Sequence, residues 1–570
     1  MMQTFDYLII GGGSAGCVLA NRLSENPENK VCLLEAGSVD SSQVVDTPMG
    51  IAALIQWSKF NWMFDTTEQP AQQGRKIYCP RGKGLGGGSS INAMLYVRGQ
   101  PNDYLRWQNM GCDGWGWNDL LPYFIKSQHQ ERGANQYHGV NGPLNVSDIQ
   151  DLHPVSERLL TAALQVGHKW NNDFNDGIQE GVGYFQTTIK KGRRHSAARA
   201  YLDSIKDRDN LTILTDCQVE KINFSKNNGD ETSAESVLVN YQHSKQTIKA
   251  AKEIILSAGS FQSPQLLMLS GIGDKQHLAE QKIDTIQHLP AVGQNLQEHV
   301  DIVLAQRRQK TDTLSYSPLV LFKQAHQLFN YLFRQRGILS SPVTEAGGFI
   351  KSAPEFNQPD LQLLCTPSLF DDHGRNWKLM AGWGYSAHCT LLQPKSRGSV
   401  RLKNNNPQSA PLIDLNMLSA DEDIKKLVIG VKKIREIFSA PALKKYRGEE
   451  VFPGARCQTD QQIEAFIRSK SNHTYHPVGT CRMGSDADSV VDTQLRVRGI
   501  QKLRVVDASV MPCLISGNTN APVIAMAERA ADLIQQKPLR QLHPTQQSHA
   551  DYQQSAARQA QLEIAFSAEV

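Results

Sequence analysis

Sixteen histidines offer side chains whose proton can move near neutral pH. One of them stands in an unusual setting. The stretch H-P-V-G-T-C-R-M-G (476–484) places His476 in a turn, because Pro477 and Gly479 oppose a long helix. Further on, G-N-T-N-A-P (517–522) carries Asn518. An imidazole there can act as a general base or bind a metal. An asparagine can donate or accept a hydrogen bond but cannot act as a base. His473 and His476 also spell H-x-x-H, but Pro477 interrupts any continuous helix and no matched carboxylate–histidine set accompanies them. No metal site is expected, and His473 is expected behind the site or on the surface. By residue type alone, His476 reads better as a buried structural histidine than as a catalyst. The second stretch reads equally as a polar turn capping a helix from about Ala521 to Ile534, with Pro522 in its first turn.

The N-terminal stretch carries a second kind of chemistry. It reads F-D-Y-L-I-I-G-G-G-S-A-G, with Gly11, Gly13 and Gly16 in the spacing G-x-G-x-x-G around Ser14 and Ala15. Tyr7 to Ile10 predict a buried parallel strand. A helix with Val18, Leu19 and Leu23 on its apolar side follows. K-V-C-L-L-E-A-G then predicts a second strand ending at Glu35 and Ala36, nineteen residues past Gly16. Gly11 permits the tight turn, Gly13 a close approach to a pyrophosphate, and Gly16 close helix–strand packing. The helix N-terminus offers unpaired N–H groups to phosphate charge. Glu35 can accept from ribose hydroxyls, which disfavours a 2′-phosphate and hence NADP. The spacing alone leaves FAD and NAD both open.

The elements that hold these residues must come from a large chain. At 570 residues it predicts two or more domains, or one large α/β domain with insertions. Apolar residues at 40% and charged residues at 20% fit a soluble globular enzyme. Lys plus Arg number 60 against 56 Asp plus Glu, and the absence of a long basic run gives no reason to invoke nucleic acid. The ten cysteines form no C-x-x-C pair and read as thiols of a reducing compartment. No run of about eighteen apolar residues predicts a membrane span. The apolar stretch Tyr7 to Leu19 lacks a basic flank and is broken by glycines, so it is not read as a signal peptide. A cytoplasmic location is expected. No internal repeat is seen, and the glutamine-rich residues 538–570 predict a mobile polar tail.

Two more segments bear on a ligand. R-G-K-G-L-G-G-G-S-S-I-N-A-M-L-Y-V-R (81–98) joins a glycine cluster to Ser89, Ser90 and Asn92. The glycines would let the backbone pass a flat ligand, and the apolar run from Ile91 to Val97 argues for burial. E-I-I-L-S-A-G-S-F-Q-S-P-Q-L-L-M-L-S-G-I-G (253–273) predicts a strand ending at Ala258-Gly259 and a helix beginning near Ser263-Pro264.

With the N-terminal fingerprint, the 476–484 stretch, L-R-V-V-D-A-S-V-M-P (503–512) and G-N-T-N-A-P-V-I-A-M-A-E (517–528), these segments resemble the glucose-methanol-choline oxidoreductase family. The resemblance runs from about residue 4 to about 537. It is strongest toward the branch of choline and aliphatic alcohol dehydrogenases. It implies an α/β fold with a Rossmann-like FAD-binding domain and a substrate-binding domain built on a mixed or antiparallel sheet with flanking helices. The FAD domain would be assembled from 1–155, 210–300 and 480–537, and the substrate domain from 156–209 and 301–479.

The resemblance further implies that Gly11, Gly13, Ser14, Ala15, Gly16, Glu35 and Ala36 meet the ADP part of FAD, and that Val219 meets the adenine. The loop from Leu85 through Gly87, Ser90, Asn92 and Ala93 to Met94 runs beside the flavin. Asp507 and Ala508 lie near the pyrophosphate or ribityl chain, Asn520 and Pro522 near the flavin, and Trp62, Ala258, Gly259 and Tyr475 are further cofactor contacts. His476 becomes the base for an alcohol hydroxyl and Asn518 its partner. Some members attach FAD through a histidine at the position held here by Ile91, so FAD is expected to be non-covalent.

The resemblance implies oxidation of a primary alcohol, aliphatic or choline-like, with electrons passing to a quinone or other acceptor. An oxygen-using oxidase and a non-redox hydroxynitrile lyase remain alternatives. Choline would need an aromatic cage and a carboxylate, for which Glu345 and several tryptophans are candidates. Leu321 to Arg336 places Phe322, Ala325, Leu328, Phe329, Leu332 and Phe333 at helical spacing beside Lys323, Arg334 and Arg336. This stripe predicts a core-facing helix, with peripheral membrane association as the alternative.

Overall fold

A computed structural model describes residues 4–226, 231–317 and 325–541. The tail beyond 541, Phe322, Lys323 and the Ala325 side chain lie outside the described residues. Two seven-stranded sheets organise the chain. In the first, Leu211–Leu214, Val31–Leu34, Thr4–Ile10 and Ser244–Leu256 lie side by side in parallel, and Leu503–Val505 adds a further parallel strand. Val31–Leu34 is buried throughout, as a strand covered on both faces must be. Thr232–Tyr241 and Cys217–Lys226 extend this sheet as an antiparallel meander.

The expected turn follows the first strand. Gly11 has φ +104°, and a Cβ there would lie 2.5 Å from the Ser257 carbonyl oxygen. A Cβ on Gly16 would lie 1.9 Å from the Gly11 oxygen, so the Ser14–Leu23 helix can press onto the turn only with glycine at this position. Asn520–Ile534, the last described helix, packs against that first helix. The fully buried Glu528 carboxylate joins the two. Arg22 donates to it from Nε and Nη2 at 2.8 and 2.7 Å, Lys126 Nζ lies at 2.8 Å, and the Tyr201 hydroxyl donates at 2.9 Å.

The second sheet is antiparallel. Its order is Glu450–Phe452, Val300–Arg307, Gly384–Leu391, Leu361–Thr366, Ala346–Ile350 and Gly181–Tyr184, with Asn472–His473 pairing the start of Val300–Arg307. Helices Asp421–Ser439 and Pro154–Gln165 cover one face. By strand alternation, Asp301 and Val303, Gln362, Leu364 and Thr366, and His388 share the other face.

Two sequence expectations need correction. The helix after Ser257 starts at Gly259, so Pro264 lies inside it. Proline cannot donate to the Ser260 carbonyl one turn back; the Thr480 hydroxyl donates to that oxygen instead, at 2.7 Å. The Ala325–Arg334 helix does not turn its apolar residues to the core. Leu328, Phe329, Leu332 and Phe333 are all more than half exposed, while Tyr331 is buried. Among the described residues, no helix is long and apolar enough to cross a membrane. All ten cysteines are free thiols.

Replacing Glu528 with alanine removes the anion shared by Arg22 and Lys126. The variant is expected to lose ~3 kcal/mol of stability, read as a lower urea midpoint.

Candidate active site

His476 owes its position to a bulge. His473 pairs Val300, and Val478 pairs Gln297. Between these pairs one strand has two residues, Glu298 and His299, and the other has four. The two surplus residues bend the 474–477 segment outward, with Tyr475 at φ +68°. Bulges commonly re-aim a side chain in this way. Glu298 stabilises the bend by accepting from the backbone N–H of His476 at 2.7 Å and of His299 at 2.9 Å.

The two imidazoles then meet edge to face, with His299 Nδ1 2.9 Å from His476 Nδ1. One of these nitrogens must donate. His299 Nε2 lies 3.0 Å from two carbonyl oxygens, those of Leu392 and Ile515, and so carries a proton. Burial pushes the His299 pKa below the ordinary histidine value, which keeps that ring neutral. Its Nδ1 is therefore the acceptor, and His476 Nδ1–H the donor. The proton of His476 is thus held on Nδ1, and Nε2 presents a bare lone pair. The Thr474 hydroxyl supports the same nitrogen at 3.1 Å. Burial first, then His299, Arg81 and His473, hold the His476 pKa well below the ordinary range. The free base is therefore the resting form at neutral pH.

His476 Nε2 and Asn518 stand together in the wall of a cavity of about 410 Å³. The Asn518 Nδ2–H donates to Nε2 at 3.2 Å, and its carbonyl oxygen accepts from Gln362 Nε2 at 3.4 Å, which fixes the amide orientation. An oxygen placed between these two groups would meet a donor and a base at once.

The cavity runs from here to the N-terminal glycines. Of the residues singled out from sequence, Gly11, Gly13, Ser14, Ala15, Glu35, Ala36, Trp62, Gly87, Asn92, Ala93, Met94, Val219, Ala258, Gly259, Tyr475, Asp507, Ala508 and Asn520 line it. Gly16, Leu85, Ser90 and Pro522 stand behind the wall instead. Gly16 sits under the turn, Leu85 reaches over Gly12, and the Ser90 hydroxyl donates to the Leu85 carbonyl at 2.8 Å. Pro522 is buried in the first turn of the C-terminal helix. The Glu35 carboxylate accepts from the N–H groups of Gly12, Gly37 and Gly84 at 2.7, 2.8 and 2.9 Å, so it also clamps the two glycine loops together. Its pKa is raised by burial, against the pull of those three donors.

The cavity has space at the points where a ligand would need it. A Cβ on Gly13 would touch only the Ser257 oxygen, at 4.0 Å, and Cβ atoms on Gly88 or Gly259 would meet no protein atom within 4 Å. The Ser257 hydroxyl is buried in this wall without a hydrogen-bond partner. The Asp507 carboxylate accepts from Gly259 N at 2.9 Å and Ser263 Oγ at 2.6 Å, and Ser14 Oγ donates to Asn520 Oδ1 at 2.7 Å. Ile91, also in the wall, packs with Val45, Leu54 and Phe60.

Other residues fall differently. Glu345 lies outside the cavity and accepts from His153 N, Ser156 Oγ and Ser341 Oγ at 2.8 Å each. Among the described residues, Trp62 is the one tryptophan in the wall. His473 is buried and reaches Tyr78 O at 2.9 Å, while Tyr475 N–H fills its Nδ1 at 3.1 Å. Sequence reasoning missed His299, Glu298, Ser257 and the pair Asp301–His388, 2.7 Å apart. The Q-E-H run at 297–299 carries no local sign of its role, which appears only when residues 177 apart meet.

Two sequence models described as GMC oxidoreductase match the chain, one over residues 5–301 and the other over 394–527. An alcohol dehydrogenase [acceptor] of Pseudomonas putida is 46% identical, covering 94% of this chain and 96% of its own length. The mitochondrial choline dehydrogenase of Homo sapiens is 42% identical, covering 94% and 90%. Among solved structures, pyridoxine 4-oxidase from Mesorbium loti superposes with a TM-score of 0.85 at 30% identity, over 94% of this chain and 100% of that one. An FAD-dependent oxidoreductase from Chaetomium thermophilum superposes with a TM-score of 0.83 at 29% identity, over 93% and 99%.

If His476 Nε2 is the group that accepts the substrate proton, its protonation abolishes turnover, and because its pKa is lowered the acidic limb of kcat/KM should lie below ~6.5. His299→Leu should cut kcat on the order of 10²-fold with KM little changed. His299→Asn, whose amide oxygen can accept from Nδ1–H, should recover part of the loss.

Proposed function

The chain belongs to the GMC oxidoreductase family, and we propose that it oxidises a primary alkanol to the aldehyde, with His476 as the base that takes the hydroxyl proton. It is an FAD-dependent oxidoreductase acting on alcohols. The observation that carries the proposal is the bare Nε2 of His476 beside the Asn518 amide in the cavity wall.

The residues present fit FAD. The gaps at Gly13, Gly88 and Gly259 leave room for a backbone-hugging ligand, and the unpartnered Ser257 hydroxyl offers it a hydrogen bond. Residues around Gly11 to Ser14, Glu35 and Val219 would hold its ADP half, and Asn92 to Met94, Tyr475 and Asn520 its ring. When bound, FAD supplies an acceptor for the hydride that leaves the alcohol carbon.

The chain does the rest. Asn518 Nδ2–H donates to the alcohol oxygen and directs its hydrogen at His476 Nε2. His476 takes that proton while its Nδ1–H stays hydrogen-bonded to His299. Glu298, whose carboxylate binds the backbone N–H of both histidines, holds the two rings in register during the transfer. Val303, Leu364, Phe370 and Met380 give this end of the cavity apolar walls and keep water from the reacting atoms.

The same surroundings favour an alkanol over choline. Asp301, a carboxylate in this part of the wall, already accepts from His388 at 2.7 Å and from the Thr390 hydroxyl at 2.8 Å. Glu345 is engaged elsewhere. The proposed electron acceptor is a quinone or a comparable carrier, in keeping with the acceptor-dependent alcohol dehydrogenase of Pseudomonas putida.

The test is an anaerobic spectrum with alcohols from choline to medium-chain alkanols. Alkanols should bleach the flavin, and His476→Ala should slow the bleaching on the order of 10²–10⁴-fold with FAD retained; Asn518→Ala should cost less. Bleaching by choline alone would refute the alkanol assignment, and wild-type rates in His476→Ala would refute the base. Because Ile91 offers no nucleophilic nitrogen, acid denaturation should release FAD into the supernatant. Flavin that stays with the precipitate would contradict a non-covalent site.

A further inference from the structure

The exposed helix Ala325–Arg334 is folded the wrong way round for a soluble surface. Leu328, Phe329, Leu332 and Phe333 recur at helical spacing and are 52%, 58%, 51% and 72% exposed. The Phe329 and Phe333 rings lie against one another, tilted, with centroids 4.4 Å apart. The opposite side anchors the helix: Tyr331 is buried, and its hydroxyl donates to the Asp46 carbonyl at 3.4 Å. Exposing four large apolar side chains on one helix costs solvation free energy unless something covers them.

The apolar face does not stand alone. The turn after the helix, Ile338–Ser340, packs on Pro48–Gly50, which leads directly into Ile51 and Ala52 of the cavity wall. Beyond them stands Trp57, 40% exposed, and Gln56 Nε2 donates to the Gly374 carbonyl at 3.3 Å, close before Trp377, 51% exposed. Two exposed indoles and four exposed aliphatic or phenyl groups thus flank the segment that borders the cavity.

The charges beside this rim are mainly positive. Lys190, Lys191 and Arg193 are exposed on a hairpin tied to the helix by Arg193 Nε, which donates to Gln335 Oε1 at 3.3 Å. Arg334 ends the helix and Arg336 follows it, Lys59 stands over the Trp57 ring at 6.0 Å, and Lys378 follows Trp377. The acidic neighbours Asp46, Asp151 and Asp372 are each paired to an arginine. An apolar face bearing phenyl and indole groups, bordered by exposed Lys and Arg, complements a lipid surface that has acyl chains beneath anionic headgroups.

We propose that this rim docks the enzyme on an anionic phospholipid bilayer, with the Leu328–Phe333 face buried at the level of the upper acyl chains and the cations against the headgroups. The cavity beside Ile51 then opens toward the membrane, where lipophilic alcohols concentrate. The proposal stands on the surface alone and does not depend on which alcohol is oxidised.

The test is flotation of the full-length FAD-loaded protein with vesicles of phosphatidylglycerol and phosphatidylcholine, compared with phosphatidylcholine alone. The protein should float with the anionic vesicles, less with the neutral ones, and less as salt rises. Phe329→Ser with Phe333→Ser should weaken binding at least tenfold while turnover of a short water-soluble alcohol is unchanged. Lys191→Glu with Arg193→Glu should remove the preference for anionic vesicles. Wild-type protein left at the bottom of the gradient would overturn the proposal, as would a serine variant that floats like wild type. So would a wild-type dimer in sedimentation equilibrium that the serine variant dissolves, since a second copy would then be what covers the face.

Discussion

A single hydrogen bond between two buried imidazoles decides which nitrogen of His476 is free to accept a proton, and the proposed reaction depends on it. His299 is held between two carbonyl oxygens by its Nε2–H and so can only accept at Nδ1. His476 must then keep its proton on Nδ1 and offer its lone pair at Nε2. Without that constraint either nitrogen of His476 could carry the proton, and a ring protonated at Nε2 is a donor and no base. The geometry selects the tautomer that the proposed reaction needs before any ligand arrives, and burial keeps both rings neutral. Such pre-organisation is cheap at the moment of reaction because the His476 ring does not have to turn.

The rest of the fold serves this contact and the cavity beside it. The antiparallel sheet supplies the Val300–His473 pairing and the two-residue surplus that swings His476 outward. The parallel sheet supplies the glycine turns, which carry no side chain where a ligand's backbone-like stem would pass. Glu35 locks two of those turns together, and Glu528 ties the first helix to the last, so that Ser14 and Asn520 come within hydrogen-bonding distance. Residues far apart in sequence thereby line one continuous space.

Much of this was legible from the chain. G-x-G-x-x-G between two apolar strands has one economical structural meaning, and Glu35 follows at the spacing that meaning requires. The turn at His476-Pro477 and the pair with Asn518 were also readable, though as a site only through resemblance to a family. His299 was not, because its role exists only across 177 residues of sequence and lies in the direction of a hydrogen bond. The apolar stripe at 328–333 shows the same limit: its period reveals a helix but not which way the stripe faces. Pro264 marked a helix end in sequence, yet Thr480, distant in the chain, supplies the hydrogen bond that lets the helix run through it. Glu345 looked available as a lone acid until three donors closed on it.

The central claim concerns where one proton sits, and nitrogen-15 spectroscopy can see it. With histidine labelled at both ring nitrogens, long-range proton–nitrogen correlations of the resting FAD-loaded enzyme, assigned by comparison with His476→Ala, report the protonation of each nitrogen of His476. At neutral pH the account predicts a protonated Nδ1 and a bare Nε2, with His299 protonated only at Nε2. A proton on His476 Nε2 in the resting enzyme would contradict it.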